Sequence, residues 1–165
     1  MRILPLIALL LLTACGFQPV YGVNKETSTN VSEQLALVEI GNIPDREGQY
    51  LRNDLIDRFY RNGRPASPQY ILTLSEIIEG SRNLDVTINS DTTRGQLTLN
   101  TSIQLSDKQS RRKIIERNLS SIASYNIIAS EFANRVSEQN TRENALNDLG
   151  RQIEEQLALY FKRQL

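Results

Sequence analysis

The chain contains no histidine, no tryptophan and a single cysteine. Without imidazole there can be no Ser-His-Asp or Cys-His nucleophile, no histidine general base and no histidine metal ligand. One thiol, Cys15, cannot form a disulfide within the chain, so the fold is held by packing even in an oxidising compartment. A surplus of one charge is missing too: 19 basic and 19 acidic side chains cancel. Nucleic acid is therefore not an expected partner, since a duplex binder needs a basic excess. No long apolar run is present. The stretch Ile3 to Leu12 would rise only about 15 Å as a helix, against a hydrocarbon core of about 30 Å, so it is too short for a retained membrane span. Lysines beyond residue 100 (Lys108, Lys113 and Lys162) stand in polar surroundings, not in the apolar pocket an active-site lysine needs. No pair of carboxylates stands out as a catalytic couple. The sequence predicts neither an enzyme nor a cofactor nor a metal site.

What is present begins with Leu12-Thr13-Ala14-Cys15, directly after that apolar stretch. Arg2 gives a short positive n-region, residues 3–12 the apolar h-region, and Thr13-Ala14 the small residues before cleavage. This is the pattern of a bacterial lipoprotein signal. Residues 1–14 are expected to leave as the signal peptide, making Cys15 the acylated first residue and a lipid attachment site. Each buried CH₂ is worth about 0.8 kcal/mol, so two or three acyl chains amount to permanent membrane attachment. Gly16 rather than Asp follows the cysteine. By the sorting convention of Gram-negative bacteria this predicts the outer membrane, periplasmic side. Loss of residues 1–14 from the 165 leaves 151, enough for one domain with one core.

Residues 22–34 are mostly Asn, Ser, Thr, Glu and Lys, and 15–34 is expected to be a lipidated N-terminus and tether. The globular domain is placed at 35–165. Leu35 to Ile40 predicts a buried strand, and Leu51, Leu55, Ile56 and Phe59 predict a helix over about 45–62, opened by Pro44-Asp45 and stopped at Asn62-Gly63. Alternation predicts strands from Tyr70 through Ile78, around Leu84-Val86-Ile88, over Leu97 to Leu105, and over 112–125. Leu146, Leu149, Ile153, Leu157 and Phe161 predict a final helix beginning near Ser137. The expected fold class is an α+β two-layer sandwich: two helices on one face of a mostly antiparallel four-stranded sheet, in the order β-α-β-β-β-α. Its other face carries Thr98, Asn100, Ser102 and Gln104, open to water or to a partner.

The run Cys15-Gly16-Phe17-Gln18-Pro19-Val20-Tyr21-Gly22 resembles the mature N-terminus of the LPS-assembly lipoprotein LptE family in its alphaproteobacterial branch. Further similarity lies at Ile43-Pro44-Asp45-Arg46, Leu51-Arg52-Asn53, Thr93-Arg94, Ala123-Ser124-Tyr125-Asn126 and Leu157-Ala158-Leu159-Tyr160-Phe161. The resemblance implies an outer-membrane lipoprotein seated in the barrel of the LPS transport protein LptD, as plug and assembly factor, and able to touch lipopolysaccharide. The fold it implies is two helices on a four-stranded sheet.

Contact with lipopolysaccharide would need cations for its phosphates, and arginine suits them by its bidentate fork. Arg82, Arg94 and Arg135 are the candidate positions, with Arg111-Arg112-Lys113 a denser cluster at another turn. Each of these also fits an ordinary solvated charge. A scaffold lipoprotein of another envelope machine, such as a barrel-insertion complex or an ABC lipid transporter, fits the same composition.

Overall fold

Alternation in the longest strand sorts its side chains cleanly. Leu97, Leu99, Thr101, Ile103 and Leu105 are buried, while Gln96, Thr98, Asn100, Ser102 and Gln104 are partly or fully exposed. The computed structural model describes residues 25–61, 63–86 and 92–164. The elements in chain order are α1 (Lys25–Ala36), β1 (Val38–Ile40), α2 (Asp45–Phe59), β2 (Tyr70–Leu74), β3 (Ile78–Val86), β4 (Thr92–Asp107), β5 (Lys113–Asn126) and α3 (Glu131–Lys162).

The α+β class and the mostly antiparallel pairing hold, but the sheet has five strands, not four, and one parallel pair makes it mixed. Two local causes account for this. First, β1 runs parallel to β2, Val38 opposite Tyr70, because the chain between them crosses over through α2. Second, the strand expected from Tyr70 through Ile78 breaks at residues 75–77. Leu74 lies opposite Ile103 and Ile78 opposite Asn100, so three residues of one strand face two of the other. Such a one-residue excess is a β-bulge, and it exchanges the two faces of the strand. Ser75 fixes it: its amide donates to the Ser102 carbonyl, its Oγ accepts from the Ser102 amide, and Thr101 Oγ1 donates to its carbonyl. Beyond the bulge Glu79 shares the covered face with Leu99, and Arg82 and Leu84 go to the open face.

Three helices, not two, cover the other face. The polar stretch expected to be a tether folds as α1 from Lys25 onwards. Leu35 is buried and Val31 packs on the core one turn earlier, which is the contact a short helix of low intrinsic propensity needs. Leu35 and Ala36 end this helix, leaving β1 only three residues. The final helix starts at Glu131, well before Ser137, because Ser130 caps it: its Oγ accepts from the Ala133 amide at 3.4 Å. Helix α2 stops at Phe59, and Gly63 takes φ +96 in the loop that follows. Asn62 and Ile88 lie outside the described residues.

The core joins all three helices to the sheet through Leu35, Val38, Leu51, Leu55, Phe59, Leu72, Leu99, Ile103, Leu105, Leu149, Ile153, Leu157 and Phe161. Full burial of each large apolar side chain is worth about 1.5–3 kcal/mol. This core lies toward the β4–β5 turn. The opposite end, where β5 passes into α3, extends beyond it.

Candidate functional site

Strand β4 carries the extension. Residues 94–97 pair with 126–123 of β5, so Arg94 faces Asn126, Gly95 faces Tyr125, Gln96 faces Ser124 and Leu97 faces Ala123. Two short motifs thirty residues apart in the chain are thus neighbours in the sheet. Gly95 is buried, and a Cβ there would come within 2.5 Å of the Tyr125 ring, so the ring lies directly over the glycine backbone. Burial pushes the Tyr125 hydroxyl above the ordinary tyrosine pKa.

On the same covered face Arg142 of α3 forms a two-pronged contact with Glu79 of β3, at 2.6 and 2.8 Å, and a third contact with Glu138 at 2.9 Å. Those bonds, the Glu79 bond foremost, raise the guanidinium pKa beyond its usual value against the opposing effect of burial. This cluster ties the β3 edge to the helix where few apolar side chains are available. Lower down, Asp148 accepts from buried Ser121 at 2.9 Å and from Gln152 at 2.7 Å, and pairs with Arg151. Burial opposes ionisation of Asp148, yet the bonds from Gln152, Ser121 and Arg151 outweigh it and hold the pKa below the carboxylate range. These carboxylates bridge elements.

Of the three arginines singled out from the sequence, the structure brings two onto one surface. Arg82 stands opposite Gln96 and donates to its Oε1 at 2.7 Å, and Arg94 is exposed two residues along the same open face. Arg135 is placed elsewhere. It belongs to α3 in the helix layer and pairs with Glu131 at 2.5 Å, highly exposed. All three lie toward the β5–α3 end, because Arg94 faces Asn126 and the Asn134 side chain holds both the amide and the carbonyl of Ile128. Sequence reasoning missed the apolar side chains beside them. Ile128, Phe132 and Val136, four residues apart, are exposed, Phe132 at 79%. Their spacing is legible in the sequence, but Ile128 precedes the helix and none of the three continues the core stripe at residues 146–161. Cys15 lies outside the described residues.

The open face supplies a second candidate surface. Asn118, Ser120 and Ser124 of β5 extend the hydroxyl and amide array of β4, with Ile78 and Ile122 as exposed apolar points on it. A shallow depression at the bulge is lined by Ser75, Ile78, Asn100, Ser102, Asn118 and Ser120. Such a surface offers many hydrogen bonds and little fixed charge.

Comparison with known proteins agrees with this architecture. The putative lipoprotein of Caulobacter crescentus CB15 is 21% identical, with a TM-score of 0.63, covering 81% of this chain and 96% of that one. The minor lipoprotein of Acinetobacter baumannii is 20% identical, with a TM-score of 0.57, covering 74% and 90%. The rare lipoprotein B of Shewanella oneidensis is 9% identical, with a TM-score of 0.58, covering 73% and 91%. These likenesses establish the shared fold. No curated protein matches the chain. The family model for LptE, lipopolysaccharide-assembly, matches residues 33–160, which takes in β1 to β5, α2 and most of α3. That match spans most of the chain and every element that carries the paired motifs, so the protein belongs to the LptE family of non-enzymatic lipopolysaccharide-assembly lipoproteins.

Proposed function

We propose that the protein is an outer-membrane lipoprotein, held on the periplasmic side by acylated Cys15, that assembles with the LptD barrel and plugs its lumen during lipopolysaccharide transport. Residues 1–14 are its leader in this reading. The observation that carries it is the open sheet face. A barrel lumen is polar and wet, and a domain inside it must present hydrogen-bonding groups over a broad surface. The array of Thr98, Asn100, Ser102, Gln104, Asn118, Ser120 and Ser124 does so without a charge cluster. Family membership supplies the lipopolysaccharide-assembly role, and the proposal adds the barrel partner.

Arg82 and Arg94, with Arg135 nearby, are the proposed contacts for lipopolysaccharide phosphates. Their placement toward one end supports a shared contact, with Arg94 exposed and Arg82 bonded, among the described residues, to a neutral amide. Co-purification tests the reading. A stable one-to-one complex with the LptD barrel is expected, with loss of surface lipopolysaccharide and of native barrel assembly on depletion. Recovery with an inner-membrane transporter instead would replace it. Exchanging Arg82, Arg94 and Arg135 for Glu should abolish lipopolysaccharide capture, and unchanged capture would remove those positions.

A further inference from the structure

The end opposite those arginines carries a separate concentration of charge. The β4–β5 turn lies against the start of β2, where the Lys108 amide donates to the Gln69 carbonyl at 2.8 Å and Tyr70 faces Asp107. Tyr70 packs against Phe161 with tilted rings whose centroids are 5.1 Å apart, bringing the last residues of α3 to the same place. The loop after α2 also arrives there, since the Tyr60 hydroxyl donates to the Val38 carbonyl at 2.7 Å. The topology therefore gathers Arg61, Arg64, Arg111, Arg112, Lys162 and Arg163 from three separate segments. None of the six makes an ion pair with an acid among the described residues. The other two cations here are already used, Lys108 by Glu39 at 2.6 Å and Lys113 by Glu116 at 3.3 Å. Three carboxylates without an ion pair among the described residues also lie here: Asp107 in the turn itself, and Glu33 and Asp57 at adjoining helix ends, so six free cations face three acids. The chain as a whole is neutral, so this end holds a local excess.

The turn is built to present its cations. Asp107 Oδ1 accepts from the Gln109 amide, the Ser110 amide and the Ser110 hydroxyl at 3.1, 2.7 and 2.8 Å. The backbone then reaches Arg111 with φ +59, a left-handed conformation that glycine or asparagine adopts at lower cost. Arg112 follows at once, exposed. Half-buried Tyr70 and Tyr160 lie at the same end, and tyrosine is a side chain enriched where protein meets a membrane surface. Reach is no obstacle. Helix α1 spans about 18 Å, and the nine residues between it and Cys15 can add up to about 35 Å when extended.

We infer that the β4–β5 end is a docking surface for anionic phospholipid headgroups of the leaflet that carries the acyl anchor, with Arg111 and Arg112 at its centre. The inference rests on the acylated Cys15 reading but not on the barrel partner or on lipopolysaccharide contact. Lys and Arg near an anionic surface each contribute about a fivefold gain in binding.

The test uses the full chain with Cys15→Ala, to remove acyl attachment, and vesicles of phosphatidylcholine with or without 30% phosphatidylglycerol. Sedimentation should show a salt-sensitive increment with phosphatidylglycerol. Arg111→Gly with Arg112→Gln should lower that increment about 25-fold while the melting temperature holds or rises, because glycine relieves the left-handed turn. Arg82→Glu with Arg94→Glu, at the far end, should leave it in place. Equal binding to both vesicles would overturn the inference, as would an increment untouched by the turn variant or lowered equally by both variants. Binding only when lipopolysaccharide replaces phosphatidylglycerol would overturn it as well. Failure of the barrel reading would appear in co-purification and leave these results unchanged.

Discussion

Gly95 and Tyr125 form one unit, in which the strand backbone is left bare so that a ring can lie on it. Gly95→Ala should displace the ring and cost about 1–3 kcal/mol in urea denaturation. Combined with Tyr125→Ala, the added cost of the new methyl should largely vanish, and simple additivity in the double-mutant cycle would contradict the contact. Asp148 gives a prediction in pH. Its folded-state pKa is lowered, so the stability it confers is present above the unfolded carboxylate value of about 3.9 and is lost as pH falls through the folded value. The urea midpoint of the native chain should therefore drop more steeply between pH 5 and 3 than that of Asp148→Asn. Parallel curves would assign the acid sensitivity to other groups. Neither residue could be singled out this way from the sequence. A glycine in a strand marks a close approach without naming the ring, and an aspartate on a helix does not declare that it meets a buried serine 27 positions away.

Elements were legible in proportion to how far their periodicity was supported by burial. Strand β4 and the stripe Leu146 to Phe161 were readable because every turn or alternate residue meets the same core. Helix α1 was not, since among its described side chains Val31 and Leu35 alone join the core, in a stretch whose composition suits a flexible linker. Leu35→Ala should therefore cost about 2–5 kcal/mol, whereas a residue ending a free tether would cost almost nothing. Amide exchange should likewise be slowed over residues 31–36. The bulge at Ser75 is hidden in the sequence for a related reason. Tyr70 to Ile78 alternates well enough to pass as one strand, and the extra residue emerges only when its partner on β4 is known. That slip decides which face Arg82 joins, so the composition of the candidate surface depends on it.

Across the whole molecule the apolar core lies toward the β4–β5 end, and the β5–α3 end is held largely by polar contacts. Arg142→Ala should detach the β3 edge from α3, raising hydrogen exchange in residues 78–84 while strands β1 and β2 keep their protection. Uniform loosening of both ends would mean that the cluster supports the global fold instead. The same polarity separates two charged regions, Arg82 and Arg94 at one end and the basic turn at the other, in a chain whose net charge is zero. By itself the sequence determined the α+β class, the absence of histidine chemistry and of disulfides, and the two faces of β4, because these follow from residue types and from periods of two and 3.6. Only the tertiary structure decided the bulge that parts β2 from β3, the parallel pairing of β1, the third helix, and the company each arginine keeps. Those depend on contacts between segments distant in the chain, where register and packing, rather than local preference, set which side chains meet.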